Sequence, residues 1–384
     1  MPYRKPTVAS SPGAMSSNEQ EPASDSPHGS GLGCLCCSRR RFMTLAGAAM
    51  LSTPSLTRAA TAPSEPRAPH RIDVHHHIFP PKYVEIARER ILSFAPNFAH
   101  VLKWTPAQSL EMMDRSGIRT AMVSLSNPGT WFGDVSEARH LARLANDYAA
   151  GMRRDHPERF GVLASLSLPD VEGSLKEIAY AYDVLEVDGV GLLTSYEDKW
   201  PGDDAFAPVF QELNRRKATV FFHPTSAACC SALMEGVAPP LIEYMFDTTR
   251  AIVSLLLSGA LSKYRDIKFI FSHAGGATAP LIQRILFHTT VNKVVAERLP
   301  DGALADLKRL YFDAATSTSP ANLGAILDLA GTDRIVLGTD FPYLPPQTTL
   351  PGLMKFGFAS EDLEKIERTN ALTLFPRLKT SAAG

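Results

Sequence analysis

The stretch Ile72-Asp73-Val74-His75-His76-His77-Ile78 decides how the rest of the chain is understood. An apolar run typical of a β-strand ends here in three consecutive histidines, and a Pro-Pro pair follows shortly after. Because alternate residues of a strand share a face, His75 and His77 are expected to point one way and His76 the other. Two neutral imidazoles on one face of a strand end can bind a metal ion. On this stretch alone, a histidine-rich strand end without a metal is the alternative.

The composition is that of an ordinary globular protein. The chain has 384 residues, of which 45% are hydrophobic and 21% charged, with a formal net charge of -1. This length is sufficient for a large core. The near-neutral charge argues against nucleic-acid binding and against a polybasic membrane surface. No apolar run reaches the length of a membrane-spanning helix, so stable membrane insertion is not expected. The 5 cysteines are too few and too clustered for a disulfide scaffold.

Two segments precede the globular part of the sequence. Residues 1–37 are rich in Ser, Pro and Gly, which predicts a disordered leader. Residues 38–62 contain Ser38-Arg39-Arg40-Arg41-Phe42-Met43 and a short, weakly apolar run, which together resemble a twin-arginine export signal. Ala60-Thr61-Ala62 is a candidate cleavage site, although Pro63 directly after it is atypical. The twin-arginine export machinery would then be a partner and the mature protein periplasmic or secreted. If the signal is not used, the segment is a basic linker and the protein is cytoplasmic.

From residue 70 to residue 380, apolar strand-like runs alternate with amphipathic helical segments. The predicted strands are Arg71–Val74, Thr120–Ser124, Phe160–Ser165, Gly189–Leu192, Thr219–Phe222, Lys268–Ser272, Arg309–Phe312 and Arg334–Leu337. The predicted helices between them include Pro106–Ser116, Ser136–His156, Gly173–Leu185, Phe206–Lys217, Pro240–Ser262 and Pro320–Ala330. This alternation predicts an α/β protein with a parallel sheet. Eight such units over about 300 residues fit a (β/α)8 TIM-type barrel. The rival is a doubly wound open sheet, but that fold usually carries a Gly-rich loop where this chain has three histidines.

Polar residues follow four of the predicted strands. His75 and His77 end the first strand, His223 follows the fifth, His273 the sixth and Asp340 the eighth. In a barrel these strand ends meet at one face, which is where the chemistry of the fold is located. A single histidine at a strand end is more often structural. Four strand ends in agreement indicate a common site.

These strand ends carry motifs that resemble the amidohydrolase superfamily. Within it, the chain is similar to the branch that contains aminocarboxymuconate semialdehyde, γ-resorcylate and 6-methylsalicylate decarboxylases. The motifs are Asp73-Val74-His75-His76-His77, Phe222-His223-Pro224, Ser272-His273-Ala274-Gly275-Gly276, Gly338-Thr339-Asp340-Phe341-Pro342 and Asn370-Ala371-Leu372-Thr373-Leu374-Phe375. Their order and spacing match the branch over essentially the whole chain after residue 70.

The resemblance implies a single divalent metal ion as cofactor, bound by His75, His77, His223 and Asp340. Zinc suits three imidazoles and a carboxylate best, and manganese is the alternative. No lysine stands at a clear strand end, which favours one metal ion over a bridged pair. The resemblance also implies that His273 is an acid/base group rather than a ligand, and that Asp340 or His273 delivers a proton to the substrate.

Two further residues are candidates for substrate binding. Arg284 follows the His273 loop, and the resemblance implies that it binds a substrate carboxylate of a neighbouring subunit, which requires a homodimer. A surface arginine on a helix is the alternative. Trp131, in the loop after the second strand, would suit a flat aromatic ring, with loop packing as its alternative. The first helix, at 108–114, lacks the arginines of the aminocarboxymuconate enzyme, so a dicarboxylate substrate is not expected.

The function predicted from these features is metal-dependent, non-oxidative decarboxylation of a small hydroxy-aromatic or unsaturated carboxylic acid. The same ligands would also serve a hydrolase that attacks a lactone, ester or amide with metal-bound hydroxide, so the motifs do not separate the two reactions. A third hypothesis is an exported binding protein without catalysis. The complete set of metal-type and acid/base residues speaks against it.

Overall fold

The computed structural model describes residues 70–94, 96–230 and 234–380. The predicted leader at 1–37 and the predicted export signal at 38–62 lie outside these ranges. None of the helices in the described ranges combines the length and the apolar character needed to cross a bilayer.

Eight parallel strands form a single sheet in which each strand pairs with the next one along the chain. The strands are β1 (Arg71–Ile78), β2 (Ile118–Leu125), β3 (Phe160–Ser165), β4 (Gly189–Leu193), β5 (Thr219–His223), β6 (Lys268–Phe271), β7 (Tyr311–Asp313) and β8 (Ile335–Val336). Backbone hydrogen bonds join the last strand region to the first: Val74 N–H donates to Leu337 O over 2.9 Å and Asp340 N–H to His75 O over 2.8 Å. The predicted (β/α)8 barrel is therefore confirmed.

Helices follow the strands and cover the outside of the barrel, except that the last two pack against its N-terminal end. They are α1 (Pro81–Phe94), α2 (Pro106–Arg115), α3 (Val135–Asp155), α4 (Val171–Asp183), α5 (Ala207–Arg215), α6 (Glu243–Leu257), α7 (Ala260–Lys263), α8 (Ile282–Val291), α9 (Lys293–Glu297), α10 (Ala303–Leu307), α11 (Pro320–Ala330), α12 (Leu350–Phe356), α13 (Ser360–Glu364), α14 (Asn370–Leu374) and α15 (Arg377–Thr380), with a π-helical turn at Lys365–Thr369. Local signals explain several of their starts. Thr105 and Gln108 form a reciprocal capping box before α2, and Ser319 caps α11.

Two differences from the predicted elements have local causes. Helix α1 was not predicted because the Pro80-Pro81 pair indicates the end of a strand. Pro81 is the first residue of α1, a position where its missing N–H costs nothing. The predicted continuous helix from Pro240 to Ser262 was wrong, because α6 ends at Leu257. Gly259 then adopts a left-handed conformation with φ of 79° before α7 begins.

The inside of the barrel is apolar at the end opposite to the predicted site. Val74, Phe221, Ile270 and Val336 belong to one buried cluster with side chains of the last two helices, Ala371, Leu374, Phe375 and Leu378. The hydroxyl of Thr219, the first residue of β5, donates to Leu374 O over 2.8 Å. The C-terminal helices thus close the N-terminal end of the barrel. The carboxyl ends of the strands are left for chemistry.

Candidate active site

The three histidines of β1 separate as the strand alternation requires. The Nε2 atoms of His75 and His77 lie 3.0 Å apart on the inner face. His76 lies on the outer face, where its Nδ1 contacts Asp73 Oδ2 at 3.2 Å and its Nε2 contacts Ser109 Oγ of α2 at 2.8 Å. All three imidazoles are fully buried. His75 and His77 are therefore available to a common ligand, while His76 anchors α2 to the strand.

Two side chains from other strand ends complete a compact cluster with this pair. Asp340 Oδ1 lies 3.2 Å from Nε2 of both His75 and His77, and 4.0 Å from Nε2 of His223. The four possible ligand atoms of His75, His77, His223 and Asp340, hereafter the four-residue group, all lie within 4.8 Å of one another. Residues from three distant stretches of the sequence thus meet at one point, as the strand ends predict.

On each of the three imidazoles, Nδ1 contacts a neighbouring protein oxygen and Nε2 belongs to the four-residue group. Nδ1 of His75 donates to Asp313 Oδ2 over 2.8 Å, and Nδ1 of His223 to Pro224 O over 2.9 Å. Nδ1 of His77 contacts Ser124 Oγ at 3.2 Å. Because each Nδ1 is occupied, each Nε2 can present its lone pair to the centre.

The donor set fits a divalent metal ion. In a tetrahedral site with bonds of about 2.0–2.1 Å to nitrogen and oxygen, neighbouring ligand atoms stand roughly 3.3 Å apart. The contacts of 3.0 Å and 3.2 Å among the Nε2 and Oδ1 atoms are close to this spacing. Without an ion, three imidazole Nε2 atoms and one carboxylate oxygen face one another with too few protons to form hydrogen bonds among all of them.

The pKa values of the four-residue group reflect its charges and burial. Burial lowers the pKa of His75, but Asp313 and Asp340 outweigh it and raise the pKa to about 10. Burial lowers the pKa of His77 to about 4 and that of His223 well below its ordinary value. Burial raises the pKa of Asp340, yet the attraction and hydrogen bond of His75 hold it well below the usual range. At neutral pH and without an ion, the group keeps Asp340 charged and a proton on His75.

The backbone around the site adopts conformations that are uncommon for residues with side chains. Asp340, His273 and Thr316 have φ values of 64°, 52° and 52°. Such conformations cost about 1–3 kcal/mol each and are typical of functional sites. They direct the Asp340 carboxylate and the His273 imidazole from loops that directly follow β8 and β6.

His273 is held beside the four-residue group. Its Nδ1 lies 3.0 Å from Ala315 O and 3.1 Å from Thr316 Oγ1, so Nδ1 is the donor to a carbonyl and Nε2 is left to exchange a proton. The ring centroids of His273 and His75 are 5.1 Å apart. The structure therefore brings His273 next to the predicted ligands.

A pocket of about 590 Å³, including its open mouth, lies above these side chains. It is lined by Phe98, Ser126, Asn127, His223, Pro240, Tyr244, Met245, His273, Thr316, Asp340, Tyr343 and Leu344. Aromatic rings form much of its wall, and within the described ranges no lysine or arginine lines it. Burial raises the pKa of the Tyr244 and Tyr343 hydroxyls, so both stay protonated.

The sequence profile of the family described as Amidohydrolase matches residues 72–377. This chain belongs to the amidohydrolase family. The resemblance in the strand-end motifs is thereby confirmed over the whole barrel. The structural features that carry it are the four-residue group and His273, all at the carboxyl ends of barrel strands.

Proteins similar to this amidohydrolase include decarboxylases. This chain is 38% identical over 330 residues to the decarboxylase yanB of Aspergillus niger. The alignment covers 81% of this chain and 89% of the relative. This chain is 35% identical over 324 residues to a 6-methylsalicylic acid decarboxylase of Penicillium expansum, covering 80% and 97% of the two chains. The structure of 5-carboxyvanillate decarboxylase from Novosphingobium aromaticivorans, with manganese and 4-hydroxy-3-methoxy-5-nitrobenzoic acid, shares the fold with a TM-score of 0.74. Its identity is 20%, and it covers 80% of this chain and 96% of its own.

Asp313 is a part of the amidohydrolase site that the sequence reasoning missed. Besides accepting from His75, it accepts through Oδ1 from the backbone N–H of His273 at 3.0 Å and of Ala315 at 2.9 Å. It is fully buried. The predicted seventh strand stopped at Phe312, one residue too early. The rule applied to the other strands, to inspect the first polar residue at each strand end, would have found it.

The two predicted substrate-binding residues lie outside the pocket wall of this chain. Arg284 is exposed on α8. Trp131 is half-buried, and its Nε1 donates to Glu197 Oε1 over 2.9 Å. The aromatic rings that do line the pocket are Phe98, Tyr244 and Tyr343. Substrate contact by Arg284 or Trp131 stays a prediction.

Proposed function

We propose that this amidohydrolase is a metal-dependent decarboxylase that removes the carboxyl group of a hydroxy-substituted aromatic acid without net redox change. The observation that carries the proposal is the meeting of His75, His77, His223 and Asp340 below an aromatic pocket, in a chain similar to decarboxylases over four fifths of its length. The 6-methylsalicylic acid decarboxylase among those relatives suggests the class of substrate.

The walls of the pocket support an aromatic substrate with one carboxylate. Phe98, Tyr244 and Tyr343 offer ring faces and edges to a flat ligand. A carboxylate needs a positive partner in a buried site, and the lining residues of the described chain include no lysine or arginine. Within one subunit, the four-residue group with its ion is therefore the proposed partner of the substrate carboxylate. A second carboxylate would find no lysine or arginine among the lining residues of the same subunit.

The four-residue group would hold the ion through Nε2 of each histidine and through Asp340. A bound divalent ion supplies positive charge that orients the carboxylate and an adjacent hydroxyl. Three nitrogens and one oxygen favour zinc, and the manganese in the 5-carboxyvanillate decarboxylase structure makes that ion the second candidate. Elemental analysis of the purified protein identifies the ion.

His273 and Asp340 both line the pocket, which makes them the candidates for proton transfer. The reaction adds one proton to the ring carbon, breaks the bond to the carboxyl carbon, leaves its electron pair on the ring and releases carbon dioxide. The Nδ1–H of His273 donates to Ala315 O, so when both ring nitrogens are protonated Nε2 can give its proton to the substrate and becomes neutral. Asp340 reaches the same space but its pKa is held low, so His273 is the better proton source and Asp340 the better ligand.

Carbon dioxide release from a panel of hydroxybenzoates tests this assignment. We expect release from at least one acid by the metal-loaded protein, and a loss of about 100-fold or more in kcat for His273→Gln. The exposed His288 on α8 provides the matched control because it does not line the pocket, and His288→Gln should leave kcat unchanged. Turnover of lactones, esters or amides in place of hydroxybenzoates would favour the hydrolase instead.

Dimerisation and Arg284 are linked in the proposal. Arg284 is exposed, so in a homodimer it is free to reach the pocket of the partner. Mixing inactive Arg284→Ala chains with inactive His75→Ala chains tests this, because a mixed dimer contains one pocket with every residue intact. Recovery of activity supports binding in trans. If Arg284→Ala alone is fully active, the arginine is a surface residue.

Export through the twin-arginine pathway is part of the same proposal. It rests on Ser38-Arg39-Arg40-Arg41-Phe42 and the weakly apolar run after it. Replacing Arg39 and Arg40 by lysine should keep the protein in the cytoplasm, whereas the natural chain should reach the periplasm. Fractionation of cells that express each form gives the answer, and equal distribution of the two would contradict export by this route.

A further inference from the structure

Asn127 follows β2 and contributes a buried amide to the pocket wall. Its side-chain NH2 donates to Pro224 O over 2.7 Å and to the Tyr244 hydroxyl oxygen over 3.0 Å. A peptide carbonyl only accepts, so the contact with Pro224 O fixes which end of the amide is nitrogen. Asn127 is 3% exposed, and its Oδ1 has no hydrogen-bond partner in the described ranges.

Tyr244, on α6, presents a free donor next to this acceptor. Its oxygen accepts from Asn127, and among the described residues no acceptor is found for its hydroxyl hydrogen. Tyr244 is 8% exposed and also lines the pocket. The pocket wall therefore offers an unfilled acceptor and an unfilled donor on adjoining residues. Buried polar groups are normally satisfied, so this pair calls for a partner that can both donate and accept a hydrogen bond.

We propose that Asn127 Oδ1 and the Tyr244 hydroxyl form a subsite for a phenolic hydroxyl of the substrate. The proposal rests on the proposed function and names the group that the pocket selects. A phenol both donates and accepts, so one hydroxyl can donate to Asn127 and accept from Tyr244. A second carboxylate only accepts and would be repelled by the Asn127 carbonyl oxygen. A methyl group would leave both polar atoms unsatisfied.

The subsite lies beside the proposed metal ligands. Pro224, which accepts from Asn127, directly follows His223, and the ring centroids of His223 and Tyr244 are 6.3 Å apart. A substrate held at both places has its carboxylate at the four-residue group and a hydroxyl at Asn127. The subsite therefore selects the position of a hydroxyl on the ring.

Tyr343 provides a matched control within the same pocket. Its hydroxyl donates to the backbone oxygen of Asn127 over 3.2 Å, so it already has a partner inside the protein. Tyr343→Phe and Tyr244→Phe each remove one hydroxyl from one pocket-lining ring. Only the second removes the unfilled donor.

The test compares the binding of benzoate with that of 2-, 3- and 4-hydroxybenzoate by calorimetry on the metal-loaded protein. Carbon dioxide is monitored in the same samples, and an acid that is consumed is compared through its initial kcat/KM. We expect one hydroxy isomer to bind about tenfold more tightly than benzoate. Tyr244→Phe should remove most of that preference with benzoate binding within about twofold of wild type. Tyr343→Phe should change both ligands by the same factor.

Two results would overturn the subsite. One is wild-type binding of benzoate as tight as that of every hydroxy isomer. The other is an equal loss for benzoate and the preferred isomer in Tyr244→Phe, which would reduce Tyr244 to a packing role. The binding readout needs no turnover. A hydroxyl preference that Tyr244→Phe abolishes, in a protein that releases no carbon dioxide, would support the subsite and reject the decarboxylase.

Discussion

At the scale of single residues, each imidazole of the four-residue group offers the same nitrogen to the centre because its other nitrogen is held. Asp313 performs this task for His75 through a 2.8 Å hydrogen bond. A carboxylate that accepts from a ligating histidine fixes its tautomer and strengthens its basicity. Asp313 is thus a positioning residue for the proposed ion.

Asp313→Asn should weaken metal binding by about 10- to 100-fold. The asparagine keeps an oxygen for the N–H groups of His273 and Ala315 but places an NH2 donor against His75 Nδ1. Nδ1 must then accept, so the ring proton moves to Nε2 and Nε2 no longer offers a lone pair to the ion. Competition with a fluorescent chelator measures the affinity. Asp328→Asn, an exposed change on α11, is the control and should bind metal like wild type. Unchanged affinity in Asp313→Asn would show that Asp313 does not position His75.

Metal affinity should rise with pH. His75 has a pKa of about 10, so at pH 7 it carries a proton that the ion must displace, whereas His77, at about 4, is already neutral. One proton released per ion gives about a tenfold gain in apparent affinity per pH unit between pH 7 and pH 9. Titrations in metal buffers at three pH values, with proton uptake by the buffer recorded, measure it. An affinity that is flat over this range would contradict a protonated His75.

The sequence revealed these residues unevenly, and for a physical reason. His75, His77, His223 and Asp340 were predicted because each directly follows an apolar strand, and the barrel fold brings strand ends together. The Asn127–Tyr244 pair was not predicted because its meaning depends on which hydrogen bonds are left unfilled. Which hydrogen bonds are left unfilled becomes visible only in the structure, where the Asn127 NH2 donates to Pro224 O and to the Tyr244 hydroxyl.

At the scale of elements, the end of β8 passes close to its neighbours. A Cβ added at Gly338 would lie 2.8 Å from His75 Cβ and 2.9 Å from Asp313 Cγ. Only glycine permits the chain to come this close to β1 and β7 at position 338. Two residues later, the same segment places Asp340 in the site.

Gly338→Ala should therefore lower both stability and metal affinity, since either His75 or Asp313 must move. We expect a loss of roughly 1–3 kcal/mol in the free energy of unfolding. Gly324→Ala on α11 is the matched control, because an added Cβ there meets nothing within 4 Å and should be neutral or stabilise by up to about 1 kcal/mol. Urea unfolding of both variants gives the comparison. Equal stability would show that the strand ends are less tightly packed than the distances indicate.

Elements were predictable where a single signal dominates. The bounds of β3 and α11 agree with the sequence prediction, because an apolar β-type run and a Ser-Pro helix start are unambiguous. The site elements β7 and β8 are only 3 and 2 residues long. Such short strands are set by pairing with their neighbours, which the local sequence does not reveal.

At the scale of the whole molecule, the barrel is closed at one end by helices α14 and α15 and open at the other around the site. Arg71, the first residue of β1, pairs with Glu367 at 2.7 Å, and α14 and α15 pack into the barrel interior. The ends of the barrel domain are thus joined away from the pocket. The four-residue group in turn joins β1, β5 and the loop after β8.

Because the proposed ion would join these distant elements, it should stabilise the whole barrel. An ion at 100 times its dissociation constant contributes about 2.7 kcal/mol. For a domain of about 310 residues, this corresponds to a rise of roughly 4 °C in Tm. Differential scanning fluorimetry with and without a chelator measures the shift. His75→Ala should show no metal-dependent shift, and a shift as large as that of wild type would place the ion elsewhere.

The most direct test of the central claim is a metal titration of the metal-free protein with carbon dioxide release as the readout. The account predicts that release from a hydroxybenzoate is absent without metal and rises linearly to a plateau at one ion per chain. It also predicts that Asp340→Asn gives no such rise. Release that is unaffected by chelation, or a chain that binds no ion, would contradict the assignment of the four strand ends.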